Sequence, residues 1–177
     1  MSHLRPAVSE NDHRFGPDDA PVTLVEYGDY ECPHCGRAHP IVRELQRRMG
    51  KKLRLVFRNF PLAELHPHAR HAAEAAEAAA DQGKFWEMHD QLFEHQARLA
   101  DADLLRYAGT LGLDAQRIED ELAAGTHRNR VEQDFSSGVR SGVNGTPTFF
   151  INGARHDQSW DLETLLETLE RVASGAD

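Results

Sequence analysis

Cys32 and Cys35 are the only cysteines among 177 residues, and they stand two residues apart around Pro33 and His34. One disulfide between them closes a four-residue loop. So short a loop removes little entropy from the unfolded chain and makes a poor structural staple. The spacing suits reversible redox chemistry, or one half of a metal site. Redox exchange needs a thiolate, and a free thiol with a pKa near 8.5 is only about 3% thiolate at pH 7. With Cys32 as the N-cap of a helix and Pro33 as its first residue, the N–H groups of His34 and Cys35 and the helix dipole favour a negative sulfur. The dipole contributes about 0.3–1 kcal/mol and at most about 2, whereas a fall of about four pKa units needs about 5.4 kcal/mol. Hydrogen bonds from the Cys35 thiol and backbone, with a charged His34, supply the remainder. His34 helps the thiolate only when the pair is reduced, so it makes the disulfide oxidising.

Elements able to hold this motif flank it on both sides. Residues 22–27 read as a strand, rich in β-branched and aromatic side chains. Alternation puts Val22, Leu24 and Glu26 on one face, so Glu26 is a carboxylate among apolar neighbours. From Pro33 a helix carries Ala38, Ile41, Val42, Leu45 and Met49 at helical spacing and stops at Gly50. Pro40 lies inside it and removes one backbone donor. Residues 53–60 form a second strand, completing a βαβ unit. Residues 66–134 then hold no convincing strand and read as helices over 69–80, 84–97, 103–111 and 114–124, the last two with acidic N-caps. Val131, Phe135 and Val139 mark a further helix that runs out at Gly142. Residues 148–151 are a strand, Asn152-Gly153 a hairpin turn, 154–156 the return strand, and Asp161 caps a final helix. Expected is one α/β domain over 1–177, with an irregular arm over 1–20 and an all-helical subdomain inserted at 66–134.

With 20 Lys and Arg against 29 Asp and Glu, the formal charge is −9. That balance disfavours nucleic acid and anionic membrane surfaces as partners. No apolar run approaches the length needed to span a bilayer. Residues 1–20 are polar and lack the apolar core of a secretory signal. A chain complete as it stands is therefore expected in the cytoplasm; a trimmed mature form would be extracytoplasmic.

The run Glu26-Tyr27-Gly28-Asp29-Tyr30-Glu31-Cys32-Pro33-His34-Cys35, together with Gly145-Thr146-Pro147-Thr148 and the helical stretch between them, resembles the DsbA-like branch of the thioredoxin fold. The stretch from His13 through Ala38 is also similar to the thioredoxin-like domains appended to some bacterial sodium/proton antiporters. The resemblance spans about residues 13–172. It implies a mixed central sheet flanked by helices and the activity of a thiol–disulfide oxidoreductase or isomerase. Cys32 would be the nucleophile, Cys35 the resolving thiol, Glu26 the buried acid that relays a proton to or from Cys35. Thr146 and Pro147 would form the cis-proline loop beside the site that meets substrate. Substrates would be cysteine-containing proteins or small thiols, with a separate redox partner; the disulfide carries the electrons, and no cofactor or metal is implied.

A rival reading is a non-enzymatic module in which the cysteines are a redox switch or a metal clip. Zinc would need two further ligands, which His66, His68 or His71 could supply. Histidines at an exposed helix entrance are more often solvated or capping groups. The Phe85, Trp86, Leu92 and Phe93 stripe reads as core rather than as a peptide groove.

Overall fold

The computed structural model describes residues 2–176. In chain order the elements are β1 (His13–Phe15), β2 (Val22–Gly28), α1 (Pro33–Met49), β3 (Leu53–Asn59), α2 (Ala69–Asp81), α3 (Phe85–Glu94), α4 (Asp101–Thr110), α5 (Ala115–Ala124), α6 (Arg128–Arg140), β4 (Thr148–Ile151), β5 (Ala154–His156) and α7 (Leu162–Ala173). They divide into a sheet unit (residues 2–28, 37–58 and 137–176) and a helical unit (residues 29–36 and 59–136). The helical unit therefore extends beyond the expected 66–134 at both ends and also takes in the segment around the cysteines.

The sheet unit is built on five strands in the order β1-β3-β2-β4-β5, a mixed sheet. β2 pairs antiparallel with β4, setting Leu24 opposite Ile151, Glu26 opposite Phe149 and Tyr27 opposite Thr148. All seven residues of β2 are buried. Simple alternation would leave one face wet; a central strand covered on both faces buries every side chain instead. Val25, Tyr27, Leu45, Val56, Phe57, Phe150, Leu165 and Leu169 make up its core. Asp161 caps α7 by accepting from the Thr164 N–H at 3.0 Å, as expected from the sequence.

The N-terminal arm is not irregular throughout. β1 pairs antiparallel with β3, with Arg14 opposite Val56. Farther forward, His3 bridges to Ala154, the Leu4 N–H donates to Gly153 O at 2.8 Å, and Leu4 is buried. Arg58 clamps the middle of the arm: Nε and a terminal nitrogen donate to the two Asp12 oxygens at 2.8 and 3.0 Å, and the other terminal nitrogen to Pro6 O at 3.0 Å and Tyr27 Oη at 2.9 Å.

In the helical unit, α2 is mostly alanine and buries nine of its thirteen residues, small side chains letting α3, α4 and α5 approach it. Met88, Leu92, Leu99, Leu104 and Ile118 fill the space between them. Phe85, Leu92 and Phe93 are core, as the sequence pattern implies, whereas Trp86 of the same stripe is only half-buried. Asp114 caps α5 through the Arg117 N–H, and Gly125 closes it in the left-handed region at φ 65°. α4 departs from expectation: its N-cap is Ala100, without a side-chain bond, and the helix already includes Asp101. Asn59 is held by its N–H to Asp134 and by its side-chain amide to Glu77 and Asp134, at 2.8–3.1 Å.

Candidate active site

Cys32 is the N-cap of α1. Pro33 is the first helical residue and the Gly36 N–H closes the first helical bond on Cys32 O at 3.0 Å. Both cysteines are buried, Cys32 at 3% exposure and Cys35 at 0%. His34 between them is exposed.

Asp29 shapes the approach to this helix. Its Oδ1 accepts the Glu31 N–H at 2.8 Å, an Asx turn, and its backbone carbonyl accepts the Cys32 N–H at 3.1 Å. Its second oxygen accepts the Leu62 N–H at 2.9 Å and faces His66 Nδ1 at 2.8 Å. Glu31 adds a parallel tie, accepting the His68 N–H at 2.7 Å. From the far end of α3, the Gln96 amide donates to both Tyr30 O and Cys32 O at 2.8 Å. Tyr30 is buried, its hydroxyl 2.9 Å from His89 Nδ1 and its ring tilted against Phe93 at 4.7 Å. The turn carrying Cys32 is thus fixed through four points of the helical unit: Leu62, His66, His68 and Gln96.

Burial alone would pull the His66 pKa down. The hydrogen bond and charge of Asp29, joined by the charges of Cys32 and Glu31, outweigh it and hold the pKa above its ordinary value. His66 is thus tied to Asp29 and feels the cysteine, whereas the metal reading placed it among possible ligands. His71 is turned to Asp101 at 2.7 Å. Asp29 and Gln96 are residues around the site that sequence reasoning did not select, and His66 entered it only as a possible metal ligand.

The other sequence-selected residues belong to the sheet unit. Glu26 is buried on β2, and its Oε1 has no hydrogen-bond partner among the described residues. Desolvation pushes its pKa from 4.5 up to about 8. Gly28 ends the strand: a Cβ there would lie 2.6 Å from the Phe57 ring and 3.3 Å from Glu26 Oε1. The Thr146–Pro147 peptide is cis. Thr148 Oγ1 donates to Gly145 O at 2.7 Å, closing the turn that delivers Pro147 to β4 at the level of Tyr27. Cys32, His34 and Cys35 therefore share the first turn of α1, while Glu26, Thr146 and Pro147 share the exit end of β2.

A family model described as Thioredoxin matches residues 8–171. Curated relatives include the Na(+)/H(+) antiporter NhaA 1 of Salinispora arenicola, 49% identical over 170 residues, covering 96% of this chain and 26% of the relative. The Na(+)/H(+) antiporter NhaA 3 of Salinispora tropica is 52% identical over 160 residues, covering 90% and 24%. The chain spans about a quarter of the length of these relatives. Among solved structures, oxidised BdbD from Bacillus subtilis superposes with TM-score 0.88 at 27% identity, covering 99% of this chain and 98% of that one. A thioredoxin-like oxidoreductase from Silicibacter pomeroyi gives 0.82 at 30% identity, covering 96% and 95%. The matched length, the sheet order and the DsbA-like helical insertion agree on one assignment: this chain belongs to the thioredoxin family.

Proposed function

We propose that the protein is a thiol–disulfide oxidoreductase that exchanges the Cys32–Cys35 couple with cysteine-containing proteins or small thiols. The observation that carries this reading is Cys32 at the N-cap of α1, with Cys35 one turn inward on the same helix. The likeness to the thioredoxin-like oxidoreductase from Silicibacter pomeroyi supports it.

In the oxidising direction a substrate thiolate attacks the Cys32 sulfur. The Cys32–Cys35 bond breaks, a mixed disulfide forms on Cys32, and Cys35 leaves as a thiolate that takes up a proton. A second substrate thiolate then attacks the substrate sulfur of the mixed disulfide and expels the Cys32 thiolate. Substrate loses two electrons and two thiol protons to gain a disulfide; the protein gains the electrons as a dithiol. Reduction runs the same steps backwards. Glu26, with a pKa raised to about 8, is suited to hold or release the Cys35 proton near neutral pH. His34 stabilises the Cys32 thiolate, and the Thr146–Pro147 loop receives the substrate segment.

The antiporters' transport is not proposed for this chain. Among the described residues no helix is long and apolar enough to cross a membrane.

Turnover of insulin reduction with dithiothreitol, and oxidative refolding of a reduced test protein, test the proposal. Both are expected for the wild type and lost in Cys32→Ser. A wild type inactive in both directions leaves the non-enzymatic module, redox switch or metal clip, as the surviving reading.

A further inference from the structure

One buried carboxylate joins two turns that lie far apart in sequence. Asp29, 1% exposed, holds the turn ending at Cys32 through the Glu31 N–H and its own carbonyl. It holds the turn from Leu62 to His66 through the Leu62 N–H and the imidazole Nδ1. That second turn is closed on itself, with the Leu65 and His66 N–H groups both donating to Leu62 O at 2.9 Å. His66 is therefore placed by the same group that places Cys32. Because Nδ1 faces a carboxylate, it carries a hydrogen in both protonation states, and the ring gains or loses its charge at Nε2.

We propose that His66, oriented by Asp29, is a redox-linked proton site: it is protonated while Cys32 is a thiolate and gives up that proton more readily once Cys32 is tied in the disulfide. The inference rests on the oxidoreductase reading and deepens it, naming a second histidine that sets the balance between the two forms. Asp29 is the positioning residue; His66 acts on Cys32 through charge. Charges that raise the His66 pKa come from Asp29, Cys32 and Glu31. Of these, Cys32 is the group whose charge the redox step itself changes, because its sulfur is tied in the disulfide when the pair is oxidised. On Cys32 itself, His34 on its own helix and His66 from the helical unit pull in the same direction. Linkage is reciprocal: whatever the thiolate does to the proton on His66, that proton does to the thiolate. When pH rises through the His66 titration the cation is lost, and with it this part of the thiolate's stabilisation.

The test uses the full chain in two chemically prepared states, disulfide and dithiol, with His66 followed by its imidazole proton resonances against pH. The titration midpoint is expected to be higher in the dithiol form. His66→Gln keeps a donor for Asp29 but carries no charge. It is expected to raise the midpoint of thiolate absorbance at Cys32 and to shift the glutathione equilibrium about three- to tenfold toward the disulfide, tenfold being about 30 mV. His66→Arg, which retains charge and donor, is expected to restore most of the shift. Identical His66 midpoints in the two forms, or an unshifted equilibrium in a folded His66→Gln, overturns the proposal. Should His66→Gln not fold, the wild-type resonance measurement still decides. That measurement requires no turnover, so a failure of the insulin assay and a failure of this coupling are read separately.

Discussion

Gly36 and Gln96 are in such close register that a Cβ on Gly36 would stand 1.9 Å from Gln96 Oε1. The glycine is not there for an unusual backbone angle. It leaves room for the amide that donates to Tyr30 O and Cys32 O.

Gly36→Ala is therefore expected to push the Gln96 side chain away and to forfeit both bonds, at about 0.5–1.5 kcal/mol each. A gain of up to about 1 kcal/mol from replacing a helical glycine opposes this. In a Gln96→Ala background only the gain remains, so the same substitution is expected to stabilise. Urea midpoints of the four proteins in the double-mutant cycle check this. Equal effects of Gly36→Ala in both backgrounds would show that the two residues are independent.

Glu26 should leave a mark on stability. Its carboxyl titrates at about 8 when folded against 4.5 ordinarily. Below about pH 4.5 the folded and unfolded chains both hold the proton. Between these values the folded chain keeps a proton that the unfolded chain has released, so stability falls as pH rises, by up to about 1.4 kcal/mol per pH unit. Glu26→Gln is expected to flatten that slope and to be more stable than wild type at pH 8. Denaturant midpoints collected from pH 4 to 9 test it, and parallel profiles for the two proteins would refute it. In rapid-mixing experiments run in the reducing direction, the variant should slow mixed-disulfide release, where Cys35 loses its proton and attacks Cys32, more than the first attack.

His34 is exposed and is expected to act on the Cys32 thiolate through its charge. His34→Ser should lower the reduction potential, a loss of about 1.4 kcal/mol corresponding to about 30 mV for two electrons. Equilibration with glutathione, read by mass, measures it; an unchanged or raised potential removes His34 from the account.

The Arg58–Asp12 pair makes a prediction about the arm. Both side chains are nearly buried, at 3% and 6% exposure. Asp12→Ala leaves a guanidinium without its carboxylate, which costs about 3–5 kcal/mol. Loss of stability should come with faster proteolytic clipping ahead of β1. Clipping at the wild-type rate would mean that the arm is held by its other contacts.

The reactive pair was legible because everything that marks it is contiguous: a strand, two thiols, a proline at the first helical position. Residues around it were hidden by sequence distance. Asp29 meets His66 across 37 positions, and Gln96 meets Cys32 across 64, and no local pattern encodes such pairs. β1 escaped notice because His-Arg-Phe has neither length nor alternation, and it is a strand only because β3 lies beside it. In α6 the apolar spacing of Val131, Phe135 and Val139 correctly marked a helix but not its inner face. Val139 is exposed, while Asp134 and Ser137 are buried. Asp134 receives the Asn59 N–H and Ser137 bonds the Tyr27 hydroxyl at 2.7 Å, so polar pairing selects that face.

The arm touches the sheet at two opposite borders. β1 lies along the outer side of β3, and the bridge from His3 to Ala154, with the Leu4 and Arg155 backbone bonds, lies along β5. Exposed strand borders invite pairing with other chains, and proteins blunt them with short, charged or covered segments. Here one stretch of chain, within residues 2–15, reaches both borders, β1 itself being only three residues long and carrying His13 and Arg14. Protection against self-association is thus concentrated in one stretch of chain: cutting it away uncovers β3 and β5 at once, leaving the open sheet with two bare borders for assembly.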